Sequence, residues 1–198
     1  MTGDRSTGNA SVYHPLSRFL LLTGTIVDIQ NILKEMKKKS TPKLNLSLAE
    51  RKNLRKAKIK ISEILDFAPD ELEVILDANS DRVKIILALA EFQTVPSAGA
   101  KFAEDLIFLG YHSLEELKQK DGAKLFEEYE RKKGHWIDPC VEDQFRLIVD
   151  FVRNPEITKN WWDYTEVRKK YRAANGYPAD RPKTAWHEVI PIKWKSKK

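Results

Sequence analysis

Cysteine is nearly absent, with Cys140 the only one in 198 residues. That excludes an internal disulfide framework and fits a reducing, cytoplasmic location. The four histidines form no spacing that would complete a zinc site, and no carboxylates stand at a recognisable metal spacing, so no metal or cofactor is expected. Long apolar runs are missing as well. The longest, Phe19 to Val27, is broken by Thr23, Gly24 and Thr25 and is followed by no small-residue cleavage site. It is too short to span a bilayer, so neither membrane contact nor export is expected.

What is present is 41% apolar residues, enough at this length to fill a sizeable core in one domain or two small ones. The net charge of +6 conceals a strong segregation. Residues 34–60 hold eleven Lys/Arg against Glu35 and Glu50, and residues 168–198 hold ten against Asp180 and Glu188. Between them, residues 61–167 carry twelve basic and twenty-three acidic side chains. A polyanion is bound by releasing counterions from positive groups, so the two basic flanks are the expected source of any nucleic-acid affinity.

Residues 1–15 read as a polar, disordered tail. Residues 16–43 read as an N-terminal helix and linker, with Phe19, Leu22, Ile26, Ile29, Leu33 and Met36 on a heptad-like seam. That seam packs on the chain's own body or contacts a protein partner or a second copy. Residues 44–93 form a first helix-hairpin-helix-like unit. In it Ser47 and Glu50 make a capping box for a helix whose basic face is Arg51, Lys52, Arg55, Lys56, Lys58 and Lys60. This face is either a solvated surface or one that tracks phosphates.

Residues 94–164 form a second unit. A helix predicted over about Ser80 to Phe92 ends before Val95-Pro96-Ser97-Ala98-Gly99-Ala100-Lys101, and a new helix carries Ala103, Leu106, Ile107 and Gly110 on one face. Gly99 is expected to take the tight turn. The stretch resembles the helix-hairpin-helix motif, with Ser97 at the place of its first glycine, and the resemblance implies that the backbone at Ser97, Ala98 and Gly99, with Lys101, meets a nucleic-acid phosphate. A shift of 53 residues lays Ile61, Ile64, Leu72 and Leu76 over Leu114, Leu117, Leu125 and Tyr129, which suggests tandem units. The expected fold class is all-α: a compact array of about eight short helices, with an irregular basic extension over 165–198.

Ser113-Leu114-Glu115-Glu116-Leu117-Lys118, Lys124 to Tyr129, Lys133-Gly134, Asp138-Pro139-Cys140-Val141, Phe145-Arg146 and Lys159-Asn160-Trp161-Trp162-Asp163 together resemble the bacterial pathogenicity-locus helix-hairpin-helix family. The likeness runs from about Leu89 to Tyr164. Some members carry mitomycin-resistance labels, which implies a link to DNA damage.

Three further features compete with this reading. His135, Asp138 and Cys140 place an imidazole, a carboxylate and a thiol within six positions, but a lone cysteine opening an apolar helical face is a small core hydrophobe. Trp161, Trp162 and Tyr164 either stack on bases, with Arg168, Lys169, Lys170 and Arg172 behind them, or fold back as a lid over the last hairpin. The alternation from Glu188 to Trp194 predicts an extended edge segment. The overall expectation is a non-enzymatic protein that holds DNA by its backbone through the Gly99 hairpin, the Arg51–Lys58 helix and the Arg168, Lys169 and Arg172 cluster. The alternative is a protein-interaction adaptor using the acidic body and the Phe19–Met36 helix.

Overall fold

A computed structural model describes residues 41–189, all within one unit that spans 37–198. The Phe19–Met36 seam with its suggested partner contact, the tail over 1–15 and the chain from Ile190 onward lie outside the described residues. The described chain is helical: α1 (Leu48–Lys56), α2 (Pro69–Leu76), α3 (Ser80–Phe92), α4 (Ala100–Leu109), α5 (Gly122–Lys133), α6 (Cys140–Arg153), α7 (Thr165–Asn175) and α8 (Trp186–Val189). Single 3-10 turns sit at Ile61–Asp66, Glu115–Leu117 and Trp161–Tyr164. Among the described residues the only strand-like pairing is one parallel bridge between Trp136 and Ala185.

Local chemistry starts and stops these helices. Ser47 Oγ accepts from the Glu50 N–H at 3.1 Å, and Glu50 Oε2 accepts from the Ser47 N–H at 2.6 Å, completing the capping box. The same carboxylate receives Arg82 Nε of α3 at 2.7 Å, so the cap of one helix is also its tie to another. The Arg82 hydrogen bonds hold the Glu50 carboxyl down at about 2, against the opposing effect of burial. Asn79 and Asp121 cap α3 and α5 in the usual way, and Gly110 and Gly134 end α4 and α5 in the left-handed conformation.

The core is aromatic at its centre. Phe92, Phe126, Phe145 and Phe151 are all fully buried, and Phe102 meets Phe145 edge-on at 5.0 Å. Three of the four shifted pairs lie in elements of the same kind and order: a 3-10 turn followed by two helices occurs at Ile61–Asp66, α2 and α3, and again at Glu115–Leu117, α5 and α6. Ile64 and Leu117, Leu72 and Leu125, and Leu76 and Tyr129 are buried in both. Ala103 is fully buried, as expected of a small residue between close helices. A backbone contact with no room for any side chain lies at Gly122, where a Cβ would stand 2.7 Å from Arg146 Cα and 2.9 Å from Phe145 O.

Two expectations about the C-terminal part need correction. Residues 165–175 are not irregular but form α7, and Trp186–Val189 is a helical turn where the alternation predicts extension from Glu188. At Trp186–Val189 a local turn wins, with the Glu188 N–H donating to Ala185 O at 3.0 Å and Glu188 Oε2 accepting from the Ala185 N–H at 3.4 Å; α7 has another cause. The inward stripe of α7 is made by Arg168 and Arg172 instead of apolar residues, so hydrophobic periodicity does not register it. After α7 the chain returns as a strap. Arg181 grips buried Glu130 with Nε and Nη2, both at 2.7 Å, while Glu130 Oε1 also accepts from the Ile137 N–H at 2.7 Å. Trp136 and Trp186 amides complete the bridge, donating to Thr184 O and Trp136 O at 2.9 Å.

Candidate functional site

The α3–α4 hairpin is built from two turn hydrogen bonds: Phe92 O accepts from the Val95 N–H, and Val95 O from the Ala98 N–H at 3.1 Å. Val95 and Ala98 turn their side chains into the core, while Ser97 and Gly99 stay exposed. The residue that takes the left-handed conformation is Ser97, at φ 57°, and not Gly99. Gly99 has ordinary extended angles, φ −91° and ψ 172°, and open space where a Cβ would be. It serves as the N-cap of α4, with its carbonyl accepting from the Ala103 N–H at 3.1 Å.

No side chain fills that cap. Among the described residues nothing accepts from the amides of Ala100, Lys101 and Phe102, so α4 presents bare N–H groups at its positive end. Such an end suits an anion. The Ala98 amide, in contrast, is spent inside the turn.

Around the hairpin as a whole the structure gathers residues from three separate stretches. Lys101 Nζ reaches Asp105 at 2.9 Å and Glu104 at 3.8 Å, with most of its side chain in water. Lys43, exposed, is pinned to the end of α3 by a reciprocal pair of bonds: its N–H donates to Gln93 Oε1 at 3.0 Å, and Gln93 Nε2 donates to its carbonyl at 3.1 Å. From the far side, the Trp161 N–H donates to Ser97 Oγ at 3.0 Å, docking the tryptophan turn on the hairpin 64 residues earlier in sequence.

The N-terminal basic face is available. Arg51, Lys52, Arg55, Lys56 and Lys58 are exposed, and among the described residues none of them forms an ion pair. Arg51 and Arg55 donate instead to backbone carbonyls of Leu44, Leu46 and Arg51. The C-terminal cluster behaves otherwise. Arg168 is held on buried Asp143 at 2.8 Å, and Arg172, with only 7% of its side chain exposed, bridges Glu142 at 2.9 Å and Glu127 at 2.7 Å. Lys169 makes an exposed pair with Glu166. These two arginines point into the fold, and the charge they carry is answered there.

A basic corner escapes sequence reasoning. Lys133 Nζ lies 4.1 Å from the Phe108 ring centre and 4.0 Å from Asp105, and Lys132 Nζ donates to Phe108 O at 2.6 Å. Only the run Arg131-Lys132-Lys133 marks it in the sequence, and a cationic last turn is ordinary for any helix.

Cys140 is half-buried at the start of α6, where its N–H donates to Asp138 Oδ1 at 2.9 Å; His135 is buried. Burial, with Asp138 and Asp143 nearby, pushes the thiol up to about 12. A thiol so far from its thiolate is a poor nucleophile. The folded protein is therefore expected to react with a chromogenic disulfide at pH 8 at least about tenfold more slowly than the urea-unfolded chain. Equal rates would show the thiolate to be accessible. Among the described residues no group of three or more His, Cys, Asp or Glu side chains is placed to hold a metal ion. Among them, too, no helix is long and apolar enough to cross a membrane.

Residues 86–170 match the model of a family described as Pathogenicity locus. A curated relative, mitomycin resistance protein McrB of Streptomyces lavendulae, is 26% identical over 88 residues, covering 44% of this chain and 83% of that protein. No solved structure matches. The matched residues hold the α3–α4 hairpin, α5, α6 and the tryptophan turn and support a family link; α1, Arg172 and the strap lie outside them.

Proposed function

We propose that this protein is a non-enzymatic binder of DNA that holds the sugar-phosphate backbone without reading its sequence, its helical pairs acting as tandem helix-hairpin-helix units. The observation that carries this is the uncapped first turn of α4, beside exposed Ser97, Gly99 and Lys101. The unpaired cations of α1 supply the long-range attraction such binding needs. The family link and the mitomycin-resistance name of the relative support a role connected with DNA damage.

Gly99→Asp tests the reading without disturbing the fold. Position 99 has room for a side chain and unstrained angles, and Asp is a good N-cap, so thermal stability should hold or rise slightly. The new carboxylate occupies the amides and repels phosphate. Affinity for a labelled DNA, followed by fluorescence anisotropy at low salt, is expected to fall about tenfold or more. Unchanged affinity would remove the hairpin from the interface, and no wild-type binding at micromolar protein would end the proposal. Leu48 and Val74, both more than four-fifths exposed, favour the adaptor as the second reading. Reversing the charges of Lys56 and Lys58 separates the two, since it weakens DNA binding and leaves an apolar protein contact intact.

A further inference from the structure

We infer that Trp162 is a stacking platform for an unpaired nucleobase, so that the preferred ligand is single-stranded nucleic acid; this rests on the binding role proposed above. The three aromatic residues of the Trp161–Tyr164 turn have separate environments. Tyr164 is buried, and its hydroxyl donates to Asp150 Oδ2 at 2.6 Å. Trp161 is half-buried, and its amide is fixed to Ser97. Trp162 does neither job and leaves 52% of its surface in water.

Its ring is nonetheless braced. Trp161 meets it edge-on, 5.5 Å between centres and 82° between planes, and the turn beneath is locked by Asp163 Oδ2 accepting from the Asn160 N–H at 2.8 Å. A large aromatic face held ready in this way loses little freedom when something flat lies on it. The surroundings indicate what that is. Lys159, exposed, precedes the turn with its ammonium 5.3 Å from the Tyr164 ring, and the Ser97 bond places the turn against the hairpin that carries Lys101. Of the exposed carboxylates in this part of the chain, Asp163 is turned back on Asn160 and Glu166 is paired with Lys169, while Glu156 precedes the turn; half-buried Glu104 lies 3.8 Å from Lys101. An exposed ring in the same turn as the Lys159 ammonium suits a base with its phosphate. Within a duplex each base is already stacked on both sides, so only an unpaired one can use the ring.

The test compares the full chain and Trp162→Ala for affinity to a labelled oligothymidine and to a duplex of equal length, with Trp162→Phe as the conservative control. The wild type should prefer the single strand, and Trp162→Ala should lower that affinity about tenfold while leaving duplex binding unchanged. Trp162→Phe should recover most of the loss. Equal loss on both ligands, or none on either, overturns the platform. So does a variant whose only change is dissociation of a dimer seen by sedimentation, which would make the ring a subunit contact. Duplex-only binding by the wild type overturns this inference and leaves the backbone reading standing; binding to neither overturns both.

Discussion

A Gly122→Ala variant is expected to melt roughly 10 °C below the wild type, a loss of about 3 kcal/mol. The added methyl would meet Arg146 Cα at 2.7 Å, Arg146 N at 2.8 Å and Phe145 O at 2.9 Å, all backbone atoms that no rotamer change can move. Relief requires shifting α5 against α6, and Phe126, Tyr129 and Phe145 pack across that seam. Scanning calorimetry of Gly122→Ala beside Gly99→Ser gives an internal comparison, because position 99 has open space. A shift under about 2 °C at position 122 would mean that the two helices slide apart at little cost.

Arg172→Met should cost about 3–5 kcal/mol, since it leaves Glu142 and Glu127 without their shared guanidinium while keeping the buried stem. Glu142 is fully buried and would retain only Arg146, at 2.6 Å. Arg172 also donates to Gly176 O at 3.0 Å, so the end of α7 loosens with it. Urea unfolding reads this as a large fall in midpoint at similar slope. Lys169→Met, three residues away on the same helix, breaks only an exposed pair with Glu166 and should leave the midpoint where it was. Similar midpoints for the two variants would show that the buried network carries no net stability.

The parts of the fold that rest on local rules were legible before any coordinates. Ser47 and Glu50 announce α1, and the helix over Ser80–Phe92 has the bounds its pattern predicts, whereas Gly110, read onto the face of α4, is the left-handed residue that ends it. Of the four shifted apolar pairs, three are buried at both positions, while Ile61 and Leu114 are half-buried. What was hidden depends on partners far apart in sequence. The basic C-terminal flank reads as a surface that attracts polyanions, yet Arg168, Arg172 and Arg181 spend their charge on Asp143, Glu142, Glu127 and Glu130 inside the molecule. Segregation of charge along the chain is here complementarity within it. The candidate site shows the same division. Its hairpin is visible in Pro96 and Gly99, but only folding reveals that Ser97 takes the strained turn and that its hydroxyl anchors the tryptophans. The lid expected of the Trp pair is divided between them, with Trp161 tucked in and Trp162 left outside.

The grip of Arg181 on Glu130, across 51 residues, sets an order of events during synthesis. When α5 and α6 have emerged from the ribosome, Glu130 still lacks Arg181, and seating that carboxylate between the helices is unfavourable without it. Closure of the pair around Glu130 therefore requires the chain as far as Arg181, and truncation before that residue is expected to leave α5 and α6 more loosely joined than in the full chain.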